Sequence, residues 1–150
     1  MKSLLAILLL IVVCDADEEL DPYLGKLEDC SYGGHKFHTL VAPACHKDDC
    51  FAFPGGRFHL EFSGKNHGKH PIDVSVMAHI KGIDHPEDSF HYSSRCRDAW
   101  TTYPCIATPN QNISGWLAIE FPKSVKRGLA RITFQIHDVG CGVMYIRVGS

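Results

Sequence analysis

The segment PACHKDDCFAFPGG, residues 43–56, gathers the side chains of this sequence that are best suited to chemistry. Two cysteines, one histidine and two aspartates lie between Cys45 and Cys50. Thiolates, imidazoles and carboxylates at short spacing are zinc ligands. Two cysteines separated by four residues can instead close a small disulfide loop before a strand. The redox compartment in which the chain folds decides between these two interpretations.

The start of the chain predicts secretion. Lys2 precedes an apolar run over residues 4–13, a small-x-small site ends at Ala16, and acidic residues begin at Asp17. This order is typical of a signal peptide over residues 1–16, which leaves a mature domain over residues 17–150. A membrane anchor is the alternative, but a span needs about 20 apolar residues. We therefore expect a secreted protein of the extracellular space or the endosomal-lysosomal lumen.

Loss of the signal peptide removes Cys14 and leaves six of the seven cysteines. An even number in a secreted chain predicts disulfides. Six cysteines allow fifteen pairings, and the sequence alone leaves them open. Cys45 with Cys50, and Cys96 with Cys105, are close enough to form local loops, which would leave Cys30 for Cys141. The opening segment is thus interpreted as a disulfide staple, and a zinc site remains the alternative.

The composition argues against several classes of function. The net charge is -2 and the basic residues are scattered, so a nucleic acid partner is not expected. The chain lacks the His-Glu-x-x-His and Gly-x-Ser-x-Gly motifs, and its mature cysteines are expected to be oxidised. We therefore expect a monomeric protein that is not an enzyme and that has no cofactor, no catalytic residue and no metal.

Apolar residues of the mature chain alternate with a period of two, which predicts an all-β fold. In residues 57–62, for example, Phe58, Leu60 and Phe62 share one face. A tight turn in HDVGCG predicts an antiparallel hairpin near the end of the chain. About seven strands are expected, which is the number in an immunoglobulin-like β-sandwich. The predicted strands include residues 36–42, 57–62, 72–81, 116–121, 129–137 and 143–148.

The motif order of the chain resembles that of the ML lipid-recognition family. The matching stretches are DC at 29–30, VAPACHKDDC at 41–50, GGRFHLEF at 55–62, HIKGI at 79–83, YPCI after the cysteine at 96, and the final GCGVMYIRV. This family includes the Niemann-Pick type C secreted sterol carriers and the mite group-two allergens. The resemblance implies three disulfides, Cys30 with Cys141, Cys45 with Cys50 and Cys96 with Cys105.

The same resemblance implies that the two sheets part to hold a lipid, namely a sterol, a fatty acid or a glycolipid. The sequence differs from the sterol carriers after Gly82, where it reads IDHPEDSFHY instead of an apolar, proline-rich segment. Aromatic residues from RDAWTTYP are candidates to replace that wall. The residues expected to line a cavity are Phe58, Phe62, Val74, Val76, Ile83, Phe90, Trp100, Tyr103, Leu117, Ile119, Phe121, Ile132, Phe134 and Ile136.

The predicted function is to carry a lipid or present it to a receptor, with relevance to innate immunity and allergen-like behaviour. The alternative is an extracellular interaction module with a filled core and no lipid. The sequon at Asn112 predicts a glycan in a polar loop. Ten histidines could move the charge from -2 toward about +8 on acidification, which would favour an anionic membrane surface. His85 and His91 are expected to flank the cavity mouth.

Overall fold

The structure is a computed structural model that describes residues 24–31, 33–46 and 49–149 of the 150-residue chain. The predicted signal peptide lies outside the described residues and stays a prediction. The described chain is all-β, and none of it forms a helix that could span a membrane. The strands are β1 Leu27–Asp29, β2 Thr39–Val41, β3 Phe51–Ala52, β4 Arg57–Lys65, β5 Ile72–Asp73, β6 Ser75–Gly82, β7 Ser89–Arg95, β8 Thr101–Thr102, β9 Ile106–Ala107, β10 Asn112–Glu120, β11 Gly128–Ile136 and β12 Gly140–Val148.

Two sheets form an immunoglobulin-like sandwich. Sheet A has the order β1-β12-β11-β6-β7, and β3 joins β12 in parallel. Sheet B has the order β2-β4-β10-β8, while β5 and β9 form a separate two-stranded ribbon. The long strands pair antiparallel, and β11 and β12 form the predicted hairpin around the turn at Asp138. This topology brings the β7 edge of sheet A together with the β8 and β10 side of sheet B.

The alternation in the sequence places apolar side chains between the sheets. In β4, Phe58, Leu60 and Phe62 are at most 2% exposed, whereas Arg57 and Glu61 face solvent. In β11, Ile132, Phe134 and Ile136 are equally buried, with a polar or charged residue between each pair. Successive strand side chains point to opposite faces, so each of these strands contributes one apolar face to a shared interior.

The predicted strand over residues 72–81 is two strands in the structure. Ile72 and Asp73 pair with β9, whereas Ser75 to Gly82 pair with β7 and β11. The backbone N–H of Val74 donates to the carbonyl of Cys105 at 2.9 Å, where the chain changes partner. An unbroken alternation of side chains therefore conceals a change of sheet, because the period reports which face is buried and not which strand is adjacent.

Three disulfides tie the sandwich, and they are the pairs that the resemblance implies. Cys30–Cys141 joins the chain after β1 to β12, Cys45–Cys50 closes the loop before β3, and Cys96–Cys105 joins the end of β7 to the start of β9. The sulfurs of Cys45 and Cys50 are bonded to each other, which makes the opening segment a staple. The described residues contain no group of three or more histidine, cysteine, aspartate or glutamate side chains placed to hold a metal.

Candidate functional site

The interior between the sheets is the candidate site, and most of the residues predicted to line it lie there. Phe90 is partly buried against this interior, and the others in the following set are at most 7% exposed. They come from both sheets and from the segment between β8 and β9. The set is Phe58, Phe62, Val74, Val76, Phe90, Tyr103, Leu117, Ile119, Phe121, Ile132, Phe134 and Ile136.

Two of the predicted lining residues are on the surface instead. Trp100 is 55% exposed and has a left-handed backbone with φ of 61°. The guanidinium of Arg57 lies 4.2 Å from the centre of its ring, so the indole packs against a surface cation. Ile83 is 41% exposed in the turn after β6. Both predictions were wrong for this conformation, because an aromatic or apolar residue in a loop has no strand to fix its direction.

At the β2 side of the sandwich, aromatic rings from the two sheets are in contact. The ring of Phe134 in sheet A lies 5.9 Å from that of Phe62 in sheet B and 5.4 Å from that of Phe37. Gly140 makes room for Phe37, since a Cβ there would lie 2.8 Å from that ring. Offset aromatic pairs of this kind add to the energy of simple burial. This part of the interior is a packed core.

At the β7 side, a second aromatic group closes the space between the sheets. Phe90 of β7 meets Phe121, which follows β10, with ring centres 5.3 Å apart at 80°. Phe121 also meets Phe58 of β4 at 6.3 Å. Phe90 is only half-buried, so part of its ring faces solvent while the rest packs on Phe121. We call the pair Phe90 and Phe121 the aromatic edge.

Hydroxyl groups lie inside the sandwich beside the packed core, since the ring of Tyr103 lies 5.8 Å from that of Phe62. The hydroxyls of Ser94 and Tyr103 are 2.9 Å apart and buried. Burial raises the pKa of Tyr103 and of the neighbouring Tyr92, and a hydrogen bond of each phenol with Ser94 partly offsets that rise. Both phenols therefore stay neutral at physiological pH. The buried hydroxyls of Ser94 and Tyr103 therefore satisfy each other inside an otherwise apolar interior.

Two loops are joined just outside the aromatic edge. The carboxylate of Asp84 accepts from the N–H of Leu129 and that of Asp88 from the N–H of Lys126, each at 2.7 Å. The ammonium of Lys126 donates to Glu87, which raises the pKa of Lys126 and lowers that of Glu87. These exposed contacts connect the turn before β7 to the turn before β11. We call them the loop latch.

The histidines expected at a cavity mouth have different surroundings. His91 lies on the outer face of sheet A, where its ring stacks on His79 with centres 4.4 Å apart. His85 lies in the turn before β7, with Nδ1 3.7 Å from the carboxylate of Glu87. The expectation for His91 was wrong, since strand alternation points it away from the interior, whereas His85 does lie beside the loop latch.

Sequence reasoning missed several side chains of the site. Phe37 lies in the packed core, and Tyr92 and Ser94 belong to the hydroxyl group. Strand β7 was assigned to a polar segment because its outer residues are serine, histidine and arginine and its inner face ends in a serine. The alternation of Phe90, Tyr92 and Ser94 was the available signal. Asn112 is exposed at the first position of β10 rather than in a loop, and its glycosylation stays a prediction.

Comparisons with known proteins bear on the fold. No protein-family profile matches the sequence, and no curated protein sequence matches it. Among solved structures, the chain is similar to a Niemann-Pick type C2 protein from the Japanese carpenter ant, with a TM-score of 0.58 and 15% identity over 82% of this chain and 98% of that one. An alkylpurine DNA glycosylase, AlkC of Pseudomonas fluorescens, is less similar, with a TM-score of 0.49 and 13% identity over 77% of this chain and 30% of that one. The chain therefore has the β-sandwich fold of the Niemann-Pick type C2 protein, and its three disulfides fit an extracellular or lysosomal protein.

Proposed function

We propose that this protein is a secreted member of the ML lipid-recognition family that binds a lipid between its two sheets and carries or presents it. The fold shared with a Niemann-Pick type C2 protein supports the proposal. The observation that carries it is the asymmetry of the interior. One side is a packed aromatic core with a buried hydroxyl pair at its margin, while the other is closed by the half-buried Phe90.

A lipid would enter at the aromatic edge. The edge lies where β7, the last strand of sheet A, faces the side of sheet B formed by β10 and the short β8. Movement of Phe90 away from Phe121 would open the interior without breaking a backbone hydrogen bond of either sheet. The hydroxyls of Tyr92, Ser94 and Tyr103 would then meet the polar end of the lipid, which favours a fatty acid or a sterol with one polar group.

The energy of burial is sufficient for such binding. Each methylene transferred from water contributes about 0.8 kcal/mol. An acyl chain of ten methylenes would therefore gain about 8 kcal/mol before the costs of association and of separating the aromatic rings are subtracted. A net affinity in the micromolar range or better requires that these costs remain small, and displacement of one half-buried ring at the opening costs less than separation of fully buried rings.

The test starts with protein purified from its own host. Organic extraction followed by mass spectrometry should recover a lipid at near-stoichiometric amounts. The purified protein should also bind a fluorescent fatty acid, and Phe121→Gln should weaken that binding when the folded fraction is matched. Val41→Gln is the control, because Val41 is apolar but 49% exposed on sheet B.

A second candidate function has its own support. The contacts among Phe37, Phe62 and Phe134 fill part of the interior, as expected for an extracellular interaction module with a filled core. Such a module would yield no co-purified lipid and no binding of the fluorescent fatty acid. Equal weakening by Phe121→Gln and Val41→Gln would also contradict lipid binding in the interior.

A further inference from the structure

The outer face of sheet A has an unusual distribution of charge. Within the described strands β7, β6, β11 and β12, which are adjacent in that order, no residue is acidic. Two cations lie directly opposite each other, since Lys81 of β6 pairs in register with Arg131 of β11. Like charges placed directly opposite on neighbouring strands destabilise a sheet. The arrangement therefore has an energetic cost that nothing in the fold of these strands requires.

Two histidines lie beside these two cations. His79 lies two residues before Lys81 on the same face of β6, and it pairs in register with His91 of β7. Their rings are stacked with an interplanar angle of 10°. We call the four side chains the basic cluster, which consists of Lys81, Arg131, His79 and His91.

The basic cluster contains a donor without an acceptor. The Nε of Arg131 is buried and has no hydrogen-bond partner among the described residues. A buried donor left unpaired costs about 1–3 kcal/mol, and more when it is charged. The carboxylates of the adjoining loop do not serve it, since Asp84 and Asp88 accept from the backbone N–H groups of Leu129 and Lys126. Among the described residues, none supplies an acceptor for this Nε.

We propose that the basic cluster is a binding site for an oxyanion, namely a phosphate or sulfate ester carried by a polyhydroxylated molecule. A tetrahedral oxyanion can accept from the guanidinium of Arg131 and the ammonium of Lys81 at once, and it would relieve their mutual repulsion. The site is on the outer face of sheet A, so its existence does not depend on lipid binding in the interior.

The surface beside the cluster indicates what carries the oxyanion. A depression of about 290 Å³ begins at His79 and His91 and continues along Met77, Ser93, Thr133 and Gln135. Serine and threonine hydroxyls and a glutamine amide can both donate and accept, which suits the hydroxyls of a sugar or a glycerol unit. A side chain such as Met77, 47% exposed, offers an apolar contact to a sugar ring.

The proposal includes a dependence on pH. Partial burial lowers the pKa of His79, and the charges of His91, Lys81 and Arg131 lower it further. A bound oxyanion opposes the effect of these cations, so it raises the pKa of His79 above its value in the free protein. By linkage, affinity for the oxyanion rises as pH falls through the range in which His79 takes up a proton.

The experiment is an NMR titration of the histidine ring signals with inorganic sulfate, which stays a dianion over the pH range compared, against chloride at equal ionic strength. We expect saturable shifts at His79 and His91 with a Kd of about 1 mM or lower at pH 6, and weaker binding at pH 7.5. His35 and His67 provide an internal control, since they form another stacked pair, 3.9 Å apart, outside sheet A. Their signals should not follow the same curve.

Variants test which groups hold the anion. Arg131→Gln and Lys81→Gln should each weaken binding about tenfold or more, while Lys69→Gln, which removes an exposed cation elsewhere, should leave it unchanged. Arg131→Lys should recover part of the affinity. A sulfated disaccharide compared with its unsulfated form, and phosphatidylglycerol vesicles compared with phosphatidylcholine vesicles, identify whether a glycan or a lipid head group carries the oxyanion. Absence of saturable shifts at His79 and His91, or an equal effect of Lys69→Gln, would overturn the proposal.

Discussion

The two sides of the sandwich interior differ in how they are closed. On the β2 side, Phe37, Phe62 and Phe134 pack together, and Gly64, Gly140 and Gly142 leave no space for even one additional carbon without displacement of a neighbour. On the β7 side, Phe90 and Phe121 meet across the gap with ring centres 5.3 Å apart. The first side is closed by the close packing of buried side chains. The second side is closed by the contact between Phe90 and Phe121, which a rotation of the Phe90 side chain would break.

This difference indicates how one fold can combine stability with the capacity to open. A close-packed interior cannot open by small steps, because even a small separation of its atoms removes many van der Waals contacts at once. A half-buried ring at an edge can move at much lower cost. The experiments below change one side of the sandwich and use the other as the reference.

The largest expected effect comes from the disulfides of the two sides. Cys30–Cys141 spans 111 residues on the closed side, and Cys96–Cys105 spans 9 on the other. In the chain-entropy model, replacing the first pair with serine should cost about 5 kcal/mol of unfolding free energy, and replacing the second about 3 kcal/mol. Urea denaturation measures both. If the two losses are equal, or their order is reversed, loop closure does not explain how the two sides differ.

A smaller effect is expected from single aromatic side chains. Phe134→Ala on the closed side should cost about 3–5 kcal/mol, whereas Phe90→Ala should cost less because its ring is only half-buried. Phe90→Ala should also speed the release of a bound fluorescent fatty acid, which stopped-flow measurement can follow. Equal costs for the two variants, with no change in the rate of release, would contradict an opening at the aromatic edge.

The smallest effect is expected at the buried hydroxyls. Tyr103→Phe removes the hydrogen bond with Ser94 and should cost about 0.5–1.5 kcal/mol. Because burial raises the pKa of Tyr103, the folded state favours the neutral phenol. The resulting contribution to the free energy of unfolding is complete below the pKa of tyrosine in the unfolded chain, which is about 10. It is lost as the pH rises above that value. Between pH 8 and 11, the midpoint temperature of thermal unfolding, Tm, should therefore fall more steeply for the wild type than for Tyr103→Phe. Parallel curves of Tm against pH would contradict this assignment.

The alternation of apolar residues along the strands predicted which residues are buried in the interior. It did not predict the basic cluster on the outer face of sheet A. Phe58, Phe134 and Ile136 were placed correctly because a period of two fixes which side of a sheet each residue faces. Trp100 was not, since a loop residue has no such constraint. The pairing of Lys81 with Arg131 also escaped prediction. These residues are 50 positions apart in the sequence, and only the register of β6 on β11 brings them together.

The pairing of β1 and β3 with β12 has a consequence for how the chain folds during synthesis. Residues 27–29 and 51–52 find their sheet partners only at residues 142–144 and 147–148. Cys45–Cys50 and Cys96–Cys105 can be oxidised as soon as their short loops emerge, but Cys30 must wait for Cys141. Contacts this distant in sequence slow folding. Completion of sheet A is therefore a late event, and the Cys30–Cys141 disulfide cannot form before it.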